Sequence, residues 1–246
     1  NVNGGLSGPA AEAVRAYTRA LAYTEFGARQ LGALRGKPVS HLPHGIYTDV
    51  FQPTPGLERV SLLLDVPDDR ILIGCVATNH TRKDWGMVAS VCRILLDRGY
   101  PIHLWTHTDR IVSEAWSLPQ LFDDFDLTHH STFTGPLKDD DLARCYQACR
   151  VTIAPGRGEG FGYPIVESLA CGTPVVHVDY AGGREATPIP WRLPPSLYHL
   201  VGPYALRRPI VDPTVAANVV ESILVGNPSE LTLTSMAAAA AYNWPV

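Results

Sequence analysis

Four short, predominantly apolar runs constrain this chain more than any other feature. They are Ile71–Ala77, Pro101–Trp105, Val151–Ala154 and Pro174–Val178. A strand with one wet face alternates polar and apolar residues. An unbroken run suits a strand buried on both faces, as in a parallel sheet. Helical patterns lie between the runs. Val88, Val91, Cys92 and Leu95 recur at i, i+3, i+4 and i+7, with Asp84 placed to cap the start and Gly99 to end the helix. Leu142, Cys145, Tyr146 and Cys149 repeat that spacing behind Asp139, Asp140 and Asp141, whose charges suit a helix start. Pro164 fits a first turn, Ile165, Val166, Leu169 and Ala170 the turns after it, and Gly172 the end. Val215, Val219, Ser222 and Ile223 predict a further helix. Strand and helix in alternation imply a Rossmann-like, doubly wound α/β domain over residues 57–226, with a C-terminal helical segment at 227–246.

The first 56 residues differ. Turn signals crowd 36–56, where Gly36-Lys37-Pro38, Pro43-His44-Gly45 and Pro53-Thr54-Pro55-Gly56 read as a hinge or linker. Residues 1–35 hold too little apolar pattern for a core of their own and read as the remnant of another domain. The chain opens on Asn1 rather than Met and stops at Val246 just after an alanine-rich stretch, so both ends are expected to be cut.

Composition removes several function classes. Twenty Lys and Arg stand against 24 Asp and Glu, a formal charge of −4, so no global basic field exists to hold nucleic acid. Any anion must be bound locally. Five Cys without a C-x-x-C pair read as reduced thiols in a cytosol-facing protein. No apolar run is long enough to span a bilayer.

In open parallel sheets, ligands bind beyond the carboxyl ends of the strands. Four loops there carry Asn79-His80-Thr81-Arg82-Lys83, Thr106-His107-Thr108, Gly156 through Gly162, and Ala181-Gly182-Gly183-Arg184-Glu185. Gly156, Gly158, Gly160 and Gly162 alternate before a helix start whose free amides, from Phe161, Gly162 and Tyr163, suit an anion. Phe161 breaks the G-x-G-x-x-G fingerprint, and no Walker pattern occurs. Spacing alone is equally consistent with a phosphate site and with a tight strand-to-helix connection. Arg82-Lys83 could bind a diphosphate, although a lone basic pair is more often solvated. Glu159 and Glu167 admit a glycosidase reading, and either alone is more often a surface charge. Asp124-Phe125-Asp126 and Asp139-Asp140-Asp141 fit D-x-D, but a polar segment and a helix start account for them better than a metal. His129-His130 lacks metal-ligand spacing partners, and of His44 and His107 only His107 falls on the ligand edge.

Glu159-Gly160-Phe161-Gly162-Tyr163-Pro164-Ile165-Val166-Glu167, followed by Ser168 through Val176, closely resembles the E-x7-E signature of retaining GT-B glycosyltransferases, family four. Pro43-His44-Gly45-Ile46 with Phe51 and Pro53 is similar to that family's interdomain hinge. Asn79–Lys83 is similar to its donor loop, although the family often has Gly-Arg where Thr78-Asn79 stands here.

The resemblance implies the C-terminal, donor-binding half of a GT-B fold that moves a sugar from a nucleotide-diphosphate sugar, such as a UDP or GDP sugar, with retention of configuration. Carried over by position, Arg82 and Lys83 would hold the diphosphate and Glu159 would orient sugar hydroxyls, these three being the catalytic set. Asn79, Gly135, Leu137, Gly160, Phe161, Gly162, Tyr163 and Glu167 would bind the donor, with Glu167 on the ribose. No metal and no cofactor are expected. A carbohydrate, lipid or small-molecule acceptor would be held by a missing N-terminal domain, so this chain by itself is expected to be inactive. The expected location is the cytoplasm, or the inner face of a membrane for the longer protein. A nucleotide-sugar-binding module without catalysis, and a phosphorylase or epimerase of the same architecture, are the alternatives.

Overall fold

The computed structural model describes residues 8–54, 64, 66–202 and 206–244. The chain begins with α1 (Gly8–Ala16), β1 (Leu21–Ala22), α2 (Glu25–Arg35) and β2 (Ser40–His41). Thr24 caps α2 by accepting the Gly27 amide, and Gly36 closes it in the left-handed region at φ 64°. β1 and β2 pair in parallel, so this part is a small βαβ unit that runs into the stretch read as hinge.

The main sheet follows. Its strands are β3 (Ile71–Val76), β4 (Ile102–His107), β5 (Ser131–Thr134), β6 (Val151–Ala154), β7 (Val175–Val178) and β8 (Arg192–Leu193). The helices between and after them are α3 (Trp85–Asp97), α4 (Leu118–Asp124), α5 (Asp139–Ala148), α6 (Tyr163–Ala170) and α7 (Gly183–Ala186). Strands β9 (Leu197–Val201) and β10 (Leu206–Ile210) form an antiparallel pair, and α8 (Pro213–Leu224) and α9 (Pro228–Ala239) end the chain. The six parallel strands lie in the order β5-β4-β3-β6-β7-β8. Chain direction across the sheet therefore reverses between β3 and β6, the switch point where such sheets open a crevice.

The predicted apolar runs became the four inner strands because both faces are covered. Ile73, Cys75, Leu104, Val151 and Val176 are fully or almost fully buried. Asp84 caps α3 by accepting the Met87 amide, and Val88, Val91, Cys92 and Leu95 all face the core. On α8 the buried face is Ala216, Ala217, Val220 and Ile223 rather than the face through Ser222, which is exposed.

β5 and the β9–β10 pair were not expected, because each is only partly buried and lacks a continuous apolar run. Side chains hold β5 in place instead. Thr132 Oγ1 lies 2.8 Å from His103 Nε2, and Trp105 Nε1 donates to Thr134 Oγ1 at 3.0 Å.

The C-terminus returns to the hinge. Ile46 N donates to Tyr242 O at 2.8 Å, Trp244 N donates to Ile46 O at 3.2 Å, and the Trp244 ring lies over Gly45. All five cysteines are buried free thiols, and burial pushes each of their pKa values up, which makes them poor nucleophiles. No helix among the described residues is long and apolar enough to cross a membrane.

Candidate active site at the sheet switch point

The loops after β3 and β6 meet over the switch point and are stitched together by backbone. Asp84 N donates to Pro155 O and Arg157 N to Arg82 O, both at 2.9 Å, and Lys83 and Gly156 form an antiparallel bridge. Trp116 Nε1 holds Lys83 O at 3.0 Å. The adjacent pair Arg82-Lys83 and the sequence-distant Glu159 are thereby brought to one point.

That point is the Glu159 carboxylate. Arg82 Nη1 donates to Glu159 Oε2 at 2.9 Å, and Lys83 Nζ donates to Oε1. The Glu159 and Lys83 side chains are only 11% and 8% exposed, which makes this a buried ion pair rather than a surface one. Burial works against the Glu159 charge, but Lys83 and then Arg82 outweigh it and hold the carboxyl below its ordinary range. Glu159 is anchored from the other side by Gly182 N, which donates to its carbonyl at 3.0 Å. A Cβ on Gly182 would lie 2.6 Å from Gly160 O and 2.8 Å from Glu159 O, so the loop after β7 can approach this closely only as glycine.

The helix start lies beside it, with Gly160 and Tyr163 exposed and Phe161 and Gly162 buried. Gly162 takes φ 96° as the N-cap of α6, and Pro164 stands in the first turn, where its missing N–H costs nothing. A Cβ on Gly160 would meet nothing within 4 Å, so the backbone there is approachable. Phe161 is buried in a ring cluster with His44, Tyr163 and Tyr242, while Tyr163 is half exposed. His44 also stacks on Tyr23 at 3.8 Å between centroids, so the hinge packs directly on the signature loop.

The remaining predicted residues sit around this centre in different ways. Glu167 on α6 accepts from Tyr146 Oη at 2.9 Å, and burial raises its pKa to about 7. Asn79 is buried and spent internally: its Nδ2 donates to Trp116 O, its Oδ1 accepts from Ser113, and its amide donates to Asp109. Gly135 is open at the end of β5, and Leu137 packs against the core. His107 lies at the end of β4 with Nδ1 3.1 Å from Thr134 Oγ1, and burial lowers its pKa. Among the described residues no three His, Cys, Asp or Glu side chains gather closely enough to share a metal ion.

Sequence reasoning missed three contributors. Arg157 lies in the glycine bend itself, where its Nη2 donates to Thr81 O at 2.9 Å and its Nη1 lies 3.8 Å from Asp84. His177 is wholly buried beneath the bend, with Nδ1 3.0 Å from Ala154 O, and burial lowers its pKa. Arg208 arrives from β10. Only the first carried any signal, its place between two glycines.

The Glu167 environment has a measurable consequence. A carboxyl whose folded pKa is about 7 against 4.5 unfolded holds its proton more tightly in the folded state. Stability should therefore fall as pH rises from about 4.5 to about 7 and level off above. Glu167→Gln should remove that slope, on the order of 1–3 kcal/mol, when urea unfolding at pH 5 and pH 8 is compared. An unchanged slope in the variant would place the titration elsewhere.

Residues 114–187 match the family model of glycosyl transferases group 1. That span holds Glu159, the glycine bend and Glu167; Arg82, Lys83 and Arg208 lie outside it. The D-inositol 3-phosphate glycosyltransferase of Acidothermus cellulolyticus is 30% identical over 183 residues, 70% of this chain and 40% of that protein. The chain thus spans well under half of that curated relative. Among solved structures, sucrose-phosphate synthase from Thermosynechococcus elongatus superposes with a TM-score of 0.78 at 20% identity, covering 96% of this chain and 57% of the other. The Anabaena protein Alr3699/HepE, solved with UDP and glucose, gives 0.72 at 17% identity over 94% of this chain and 61% of the other. The α/β architecture with its parallel six-stranded sheet is that of GT-B glycosyltransferase structures. Together, the family match and the fold support a glycosyltransferase.

Proposed function

We propose that this chain is the donor-binding half of a retaining, family-four glycosyltransferase that takes a nucleotide-diphosphate sugar without a metal ion. The observation that carries the reading is the meeting of Arg82, Lys83 and Glu159 beside a helix start at the switch point. Leaving-group departure builds negative charge on a diphosphate. Fixed cations and helix amides in a partly dehydrated crevice stabilise such charge better than water does. Glu159 is held ionised by the same cations, so it can accept hydrogen bonds from sugar hydroxyls while balancing the cleft before a donor arrives. Glu167 follows on α6, and the E-x7-E resemblance assigns it the ribose. The relatives' names include D-inositol 3-phosphate glycosyltransferase and a mannosyltransferase, which supports a hydroxylated acceptor.

A thermal-shift screen of UDP-, GDP- and ADP-sugars, with and without EDTA, tests the reading. A ligand that binds only the native state at 100 times its Kd adds about 2.7 kcal/mol to apparent stability. One nucleotide class should raise the melting temperature by several degrees, and EDTA should leave the shift intact. No shift with any class would overturn the donor-site reading, and a shift abolished by EDTA would overturn metal independence.

A further inference from the structure

The crevice holds more positive charge than its carboxylates balance. Arg82, Lys83, Arg157 and Arg208 converge on it, against Glu159 and Asp84. Both Glu159 oxygens are already taken, one by each of Arg82 and Lys83. Asp84 serves the α3 cap through Oδ1 and reaches Arg157 only at 3.8 Å. Among the described residues no carboxylate forms an ion pair with Arg208 within 4.0 Å, although Glu159 lies near enough to favour its charge. Arg208 Nη1 donates to the neutral carbonyl of Arg157 at 3.2 Å, which leaves most of its five N–H donors available.

The chain goes to some length to place this guanidinium. Side chains alternate along β10, so Arg207 turns the other way and lies over the Tyr198 ring at 3.8 Å. Tyr180 Oη donates to Arg207 O at 3.1 Å and ties the strand to the end of β7. Gly158 takes φ 151°, and a Cβ there would collide with Arg208 Nη1. Burial, together with the charges of Arg82 and Arg157, works against the Arg208 cation, and Tyr180 and Glu159 offset only part of that. A partly dehydrated guanidinium set among other cations costs free energy unless an anion joins it.

We infer that Arg208 is a diphosphate-binding residue of the donor site, supplied by the β9–β10 pair as a further cation beside Arg82 and Lys83. This rests on the nucleotide-sugar reading above, and it adds an element that lies outside both the signature and the matched family span. The ligand chemistry is a multiply charged phosphoryl group, which alone among common sugar substrates neutralises several clustered cations at once.

Isothermal titration with UDP, GDP, UMP and GMP tests the assignment on the unaltered chain and on Arg208→Met, Arg208→Lys and Arg207→Met. Arg208→Met should lose on the order of tenfold to a hundredfold in affinity for the diphosphate that the unaltered chain binds. The loss should be smaller for the monophosphate, and Arg208→Lys should recover part of it. Arg207→Met should bind as the unaltered chain does. Should Arg208→Met unfold, Arg208→Lys still decides the matter, since a point charge without the planar fork should bind several-fold more weakly. Diphosphate affinity within twofold of the unaltered chain in the Arg208 variants overturns the assignment alone. An equal loss in Arg207→Met does the same, by showing a general charge effect. If the unaltered chain binds neither diphosphate, the donor-site reading fails, and this assignment with it.

Discussion

Lys83→Met is expected to destabilise the fold and disable the site together. It leaves Glu159, 11% exposed, with Arg82 as its ion-pair partner among the described residues. Breaking a buried ion pair from one side typically costs about 3–5 kcal/mol. Arg82 is 34% exposed and can follow the carboxylate, so the lower end of that range applies. The Glu159 pKa should rise as well, because burial would then meet less opposition. The resulting loss of stability should deepen as pH rises through that raised value, since the ionised form is the one left unpaired. Urea unfolding of Lys83→Met, Glu159→Gln and the double variant separates the terms. The double variant should regain much of the loss, giving a coupling energy of at least about 1 kcal/mol. Additive losses would show that the pair is not coupled. In the intact enzyme, on the proposed function, Lys83→Met and Arg82→Ala should each slow transfer by about 10²–10³. Arg82→Ala should do so with far less effect on folding, and unchanged turnover in it would reject its role.

Gly156→Ala should be nearly as damaging for a purely steric reason. A Cβ at that position would lie 2.7 Å from Glu159 Cδ and 2.9 Å from its Cγ, inside any real contact. The Glu159 side chain would have to leave Lys83 and Arg82, or the bend would have to move. Either outcome should cost about 2–4 kcal/mol and remove the ionised carboxylate from the crevice. Gly160→Ala is the matched control for stability, since a Cβ there meets nothing within 4 Å. Its melting temperature should stay close to that of the unaltered chain. Equal destabilisation by the two substitutions would mean that backbone freedom, not the place of Glu159, explains the glycines.

These two expectations show where sequence reading worked and where it stopped. The inner strands, the caps at Asp84 and Gly99, and the helix after the glycine bend were legible because their signals are local: an unbroken apolar run, a hydrogen-bonding cap, a 3.6-residue period. β5 was not legible, since Thr132 and Thr134 hold it by pairing with His103 and Trp105 and its apolar content is a single residue, Phe133, stacked on Phe122. Asn79, expected at the donor, also ties the β3 loop to Trp116 and Ser113. Nothing in its neighbours along the chain announces those partners.

What the sequence by itself determined is the alternation of buried strands and amphipathic helices, and with it the sheet edge where the unusual residues gather. Burial of a strand or a helix face depends on periodicities of two and 3.6, which are written within a dozen consecutive residues. Tertiary structure alone decided that Lys83, Arg82 and Glu159 share one buried carboxylate, that Gly156 exists to make room for it, and that Arg208 comes from a distant strand to the same place. Those outcomes depend on distances between loops that only strand order and crossover connections set, and electrostatic energy in a dehydrated crevice depends on those distances far more than on residue type.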